Sequence, residues 1–164
     1  MKALFAAALS LALSACVAVV PLTPQHTAPA QRTVLSVVAQ PNTSFTKQIN
    51  AFRAGQGRGP LRQSAALTRA AQAHAEDMTK RGYFSHVAQG GPNGRTLSAR
   101  AKSAGCGARA LAENIAEGQR DQTTVLNGWA KSPSHRGNML NPRMTEYGLG
   151  HAGKTWVLML SSGC

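Results

Sequence analysis

The sequence predicts an α+β domain: an α-β-α sandwich in which a small antiparallel sheet of about three strands lies between helices. Three observations carry that expectation. Several stretches place apolar side chains at helical spacing and end at glycine. Three runs have strand-like composition: residues 111–117, 146–151 and 155–161. The last contains Trp-Val-Leu-Met-Leu160, apolar on both faces, so helices must cover it on both sides.

The leading residues set the compartment. Lys2 is followed by an apolar run from Ala3 to Ala15, which reads as a secretory signal over residues 1–15. The run closes with Leu13-Ser-Ala-Cys16, which resembles a lipobox and makes Cys16 the expected site of lipid attachment. Residues 16–41 hold Pro21, Pro24, Pro29 and Pro41 among Thr, Gln and Ala without a sustained period, so they read as an extended tether. His26 lies in it without a role. The folded domain is expected over residues 42–164.

Within that domain Phe45, Ile49 and Phe52 form one helical stripe, and Gly55 is placed to end the helix in a left-handed turn. Gly57, Gly59 and Pro60 make a loop. Leu67, Ala70, Ala71, His74 and Met78 share the face of a second helix, which Gly82 stops. His74 therefore reads as a hydrogen-bonded core residue. A glycine-rich loop over residues 89–94 precedes a short helix from a Thr96 cap to Ala104. The strand at residues 111–117 comes next, then a helix over residues 123–131 in which Val125 and Trp129 are one turn apart.

Ser132 and Pro133 break that helix and start another. The serine suits a cap and the proline suits the first helical position, where its missing N–H costs nothing. His135 then falls in the first turn, where the helix dipole disfavours imidazolium and keeps the ring neutral. Asn141-Pro142 stops the helix, and two strands joined at Ala152-Gly153 close the chain. His151, in a strand beside that turn, reads as exposed and inert.

Charge and cysteine content narrow the function classes. The 164 residues carry 18 Lys and Arg against six Asp and Glu, a formal charge of +12. The cations are scattered, with no run and no aromatic interleaving, which argues against a nucleic-acid footprint. A solvated basic face that tolerates anionic lipid or wall polymer fits better, and plain solubility is its favoured reading. With Cys16 set aside, Cys106 and Cys164 remain as an even pair in a compartment where disulfides persist.

These pieces, in this order, resemble a bacterial member of the CAP superfamily of cysteine-rich secretory, venom-antigen and plant pathogenesis-related proteins. The resemblance runs from about Asn50 to Leu160. It rests on Asn50, Arg53, Pro60-Leu61, the segment from Leu67 to Tyr83-Phe-Ser-His86, Glu113-Asn-Ile-Ala116, Trp129 to Leu140, and Gly148-Leu-Gly150. It implies the same sandwich and a cleft with two histidines and two acids. His86 matches the first histidine, Glu113 the first acid and His135 the second histidine. Ser132 stands where the second acid is expected, so one carboxylate is missing.

The ligand cleft is accordingly expected at His86, Glu113, Asn114, Ser132 and His135. The function expected from it is an exported binding module of the cell envelope, monomeric and held at the membrane by its lipid anchor. Its ligand would be a lipid, a sterol-like molecule or a cell-wall component. No cofactor is required. His86, Glu113 and His135 are also a ligand set for zinc or another divalent cation, and the alternative function is a metal-dependent hydrolase built on them. A Ser132–His135–Glu113 nucleophile arrangement competes with the capping role of Ser132. Glu113 has its own structural reading, an ion pair with an arginine such as Arg136. Asn114 has one as a satisfier of backbone groups at a strand edge.

Overall fold

The computed structural model describes residues 42–91 and 93–164. The expected signal, the lipid-attachment cysteine Cys16, the tether and His26 lie outside the described residues. The described chain runs α1 (Thr43–Ala54), β1 (Arg62–Gln63), α2 (Ala65–Arg81), α3 (Leu97–Ser103), β2 (Leu111–Glu117), α4 (Gln122–Lys131), α5 (Pro133–Leu140), β3 (Glu146–Ala152) and β4 (Thr155–Ser161). Among the described residues no helix is long and apolar enough to cross a membrane.

The sheet has four strands in the order β1-β3-β4-β2. β4 pairs antiparallel with both β2 and β3, whereas β1 runs parallel to β3 through Arg62 and Gln63. The sheet is therefore mixed, and one strand larger than expected. Two residues are too few to show any alternation, so β1 leaves no periodic signal.

All seven residues of β4 are buried, as its composition requires. Its side chains alternate between two cores. Trp156, Leu158 and Leu160 join Phe45 and Ile49 of α1, Trp129 of α4 and Met139 of α5. Val157 and Met159 join Leu67, Ala71 and Met78 of α2 and Ala101 of α3. This is the predicted sandwich.

The glycines of β3 set how closely α2 can approach. A Cβ on Gly148 would lie 2.1 Å from the carbonyl carbon of Leu67, and one on Gly150 would lie 2.3 Å from that of Ala71. Helix α2 thus lies flush on β3 at two points a turn apart. Gly82 ends α2 in a left-handed conformation (φ 67°), as expected. Helix α1 ends differently: Gly55 is right-handed (φ −62°), and the left-handed residue is Gly57 (φ 66°). The buried stripe of α1 also runs Phe45, Ile49, Arg53, with Phe52 only half-buried. Cys106 and Cys164 are bridged, tying the last residue to the loop after α3.

Candidate ligand cleft

β2 is an edge strand, and its side chains alternate between the two helical layers. Glu113 points toward α3 and the loop that follows α2, whereas Asn114 points toward α5. The Glu113 side chain is 2% exposed. One of its oxygens accepts from Arg100 Nη2 at 2.7 Å, and the other lies 2.9 Å from His86 Nδ1. The Arg100 side chain is 1% exposed and also donates to the carbonyls of His86 and Arg95. Burial alone would raise the Glu113 pKa. The His86 hydrogen bond and the Arg100 charge and hydrogen bond overcome that and hold it below its ordinary value.

The loop carrying His86 is pinned at two further points. The Tyr83 hydroxyl donates to Asp77, and burial followed by that bond pushes the phenol up to about 12. His74 Nε2 lies 3.0 Å from the Ser85 carbonyl, so this nitrogen carries the proton, while the buried Nδ1 has no partner. Burial, followed by the charge of Arg100, pushes the His74 pKa down and keeps its ring neutral. His74 is thus a hydrogen-bonded core residue, as its position on α2 suggests. Between these anchors the His86 side chain is 55% exposed, flanked by exposed Phe84 and Val87.

On the other side of β2, Asn114 is fully buried. Its amide donates to the carbonyl of His135 and accepts from Asn138, which also donates to the Glu113 carbonyl. With Trp129 Nε1 donating to Ile115, these bonds satisfy backbone groups of the edge strand. They also fix α5 against it. His135 sits in the first turn of α5, half-buried, and its pKa is pushed down by burial and then by the charge of His86. His86 is bonded to Glu113 and His135 to Asn114, the next residue of β2, through its carbonyl. Ser132 makes no capping bond, and its hydroxyl lies 3.3 Å from that of Ser134.

Three expectations change here. The partner of Glu113 is Arg100, not Arg136, which instead donates to Gln56 at 2.6 Å. Glu113 orients His86 rather than His135, so the Ser132–His135–Glu113 arrangement is not assembled. Both oxygens of Glu113 are committed within the protein, and a zinc ion held by His86, Glu113 and His135 does not fit that donor set. Among the described residues no group of three or more His, Cys, Asp or Glu side chains is placed to hold a metal ion. His151 is exposed, with its ring stacked on Trp156 at 3.7 Å.

Arg100 and Asn138 were not anticipated from sequence. Arg100 had a signal: it follows Leu97 by three positions and precedes Ala101, so an arginine stands on the apolar face of α3 and needs a buried counter-charge. A hollow of about 380 Å³ opens nearby, lined by Met78, Tyr83, Phe84, Glu117 and Lys154 among others.

The sequence model of the cysteine-rich secretory protein family (CAP) matches residues 46–157. The chain is 36% identical over 110 residues to the uncharacterized protein YkwD of Bacillus subtilis (strain 168), covering 66% of this chain and 42% of that protein. It is 31% identical over 112 residues to the uncharacterized membrane protein YlbC of the same organism, covering 66% and 32%. The chain therefore spans less than half the length of these curated relatives. Among solved structures it superposes with TM-score 0.67 and 29% identity on an extracellular protein containing an SCP domain from Bacillus anthracis strain Ames. That match covers 72% of this chain and 39% of the other. An outer surface protein from Borrelia burgdorferi shares the fold, with TM-score 0.66 and 18% identity over 74% of this chain and 91% of that one.

Proposed function

The chain belongs to the cysteine-rich secretory protein (CAP) family, and on that premise we propose that it is an exported binding module of the cell envelope. Its ligand is a small amphiphile or cell-wall fragment, taken at the edge of β2. The observation that supports this most directly is the setting of His86: an exposed imidazole locked to the buried Glu113–Arg100 pair and flanked by exposed Phe84 and Val87. A rigid polar group between apolar side chains suits a ligand with a polar end and an apolar body. His135, kept neutral, offers a second hydrogen-bonding ring, and the hollow at Tyr83 and Phe84 offers apolar wall.

Binding fits this arrangement better than hydrolysis. A nucleophile must lie within reach of a base, and a metal-bound water needs open ligands; Ser132 is turned to Ser134 and Glu113 is occupied on both oxygens. Export is supported by the extracellular and outer-surface descriptions of the structural relatives. Attachment through Cys16 is part of the proposal, and mass spectrometry of the protein from its host tests it.

Ligand-observed NMR against muropeptides and phospholipid vesicles tests the cleft. Saturable binding lost in His86→Ala and kept in His151→Ala supports it, with melting unchanged by a chelator. Hydrolysis that is removed by chelation and by either His86→Ala or His135→Ala would replace it with an enzyme.

A further inference from the structure

A second hollow, away from the cleft, is lined by charges of one sign. Helix α5 presents Pro133, Arg136, Gly137 and Leu140 at i, i+3, i+4 and i+7, a stripe distinct from the His135 and Asn138 side that faces β2. That stripe walls an open hollow of about 680 Å³, completed by Arg58, Lys131, Asn141 and Pro142. Three cations line it and no acid does.

The imbalance extends below the surface. Arg53 is 1% exposed and donates to the carbonyls of Gly59, Met139, Asn141 and Met144, with no carboxylate beside it. A guanidinium does not give up its proton, so a full positive charge is buried under one wall of the hollow. The six acids of the chain are Glu76, Asp77, Glu113, Glu117, Asp121 and Glu146, all elsewhere in the fold. The first 75 residues contain none. Arg136 is held in place by its bond to Gln56 and by the Phe52 ring, 5.9 Å beneath its guanidinium carbon.

We infer that the hollow between Arg58, Lys131 and Arg136 is an oxyanion site that takes a phosphate ester. Three cations lining one hollow beside a buried guanidinium with no carboxylate partner favour an anion more than scattered surface lysines do. The open volume leaves room for the group esterified to that phosphate. Such a phosphate is carried by a soluble glycerol phosphate unit or by a phospholipid headgroup, and the two sources separate experimentally.

The full chain is titrated with sn-glycerol 3-phosphate by calorimetry and, separately, with vesicles of phosphatidylglycerol mixed into phosphatidylcholine. Three variants are compared with wild type: Arg58→Gln with Lys131→Gln; Gly137→Phe; and the exposed pair Lys80→Gln with Lys102→Gln on α2 and α3, distant from the hollow in the fold. A Cβ at Gly137 meets nothing within 4 Å beyond its own stretch of helix, and Gly137 lines the hollow, so the phenylalanine fills it without altering charge. The first two variants are expected to weaken binding about tenfold, and the distant pair less than about twofold. Wild-type binding of the soluble ester identifies the ester as sufficient; binding to vesicles alone identifies the headgroup. Equal weakening by the local and distant pairs, no effect of Gly137→Phe, or no binding of either probe overturns the inference.

Discussion

Arg100 and Glu113 are 13 positions apart in the chain and form an ion pair at 2.7 Å, with their side chains 1% and 2% exposed. The pair joins α3 to the edge strand, and its second carboxylate oxygen fixes His86. Breaking a buried pair on one side strands the other charge. Glu113→Gln and Arg100→Met are each expected to cost about 3 kcal/mol in urea unfolding. The double variant Glu113→Leu with Arg100→Met should recover much of that loss. It should not restore ligand binding, because His86 then has no anchor.

Stability should fall in two stages as pH drops. His74 and His135 have lowered folded pKa values, so below the ordinary histidine value of about 6.5 the unfolded chain binds their protons more readily. That stabilises the unfolded state and erodes the fold between neutral and mildly acid pH. Glu113 is also lowered, so its contribution is present above the ordinary carboxylate range and lost as pH falls through its folded pKa. Urea midpoints measured from pH 8 to pH 3 should show both stages, and His74→Gln should diminish the first.

The contact of α2 with β3 tolerates no side chain. Gly148→Ala and Gly150→Ala put a Cβ into the backbone of Leu67 and Ala71, an obstacle that rotamer changes cannot relieve. Each should destabilise the fold by at least about 2 kcal/mol. Circular dichroism melting checks this, with the exposed Gly128→Ala, where a Cβ meets nothing, as the benign comparison.

The bridge between Cys106 and Cys164 closes a loop of 58 positions. By chain entropy it stabilises the domain by about 4 kcal/mol. Replacing both cysteines with serine should lower the guanidinium midpoint accordingly, and a reducing agent should then have no further effect.

Much of the fold was legible because its signals are local, in spacing or in composition. The second helix emerges from the spacing of Leu67, Ala70, Ala71, His74 and Met78, and the strand at residues 155–161 from its continuous apolar composition; the structure packs the two together. β1 was hidden by its two-residue length. The candidate cleft was legible in part: His86 and Glu113 are bonded, and Glu113 forms the expected ion pair with an arginine, but that arginine is Arg100 and not Arg136. Arg136 neighbours His135 in sequence, yet one residue along a helix is a turn of about 100°, which carries it to Gln56 and Phe52. Arg100 reaches Glu113 only through the packing of α3 on β2, and spacing along the chain does not encode that contact.

The central claim is that His86 and His135 share one site across the edge of β2. The most direct test is an NMR titration of the His135 ring in wild type and in His86→Gln. This account predicts that His135 titrates below an ordinary histidine and that its pKa rises when the His86 charge is removed, with burial keeping part of the depression. A His135 titration curve unmoved by the substitution would contradict it.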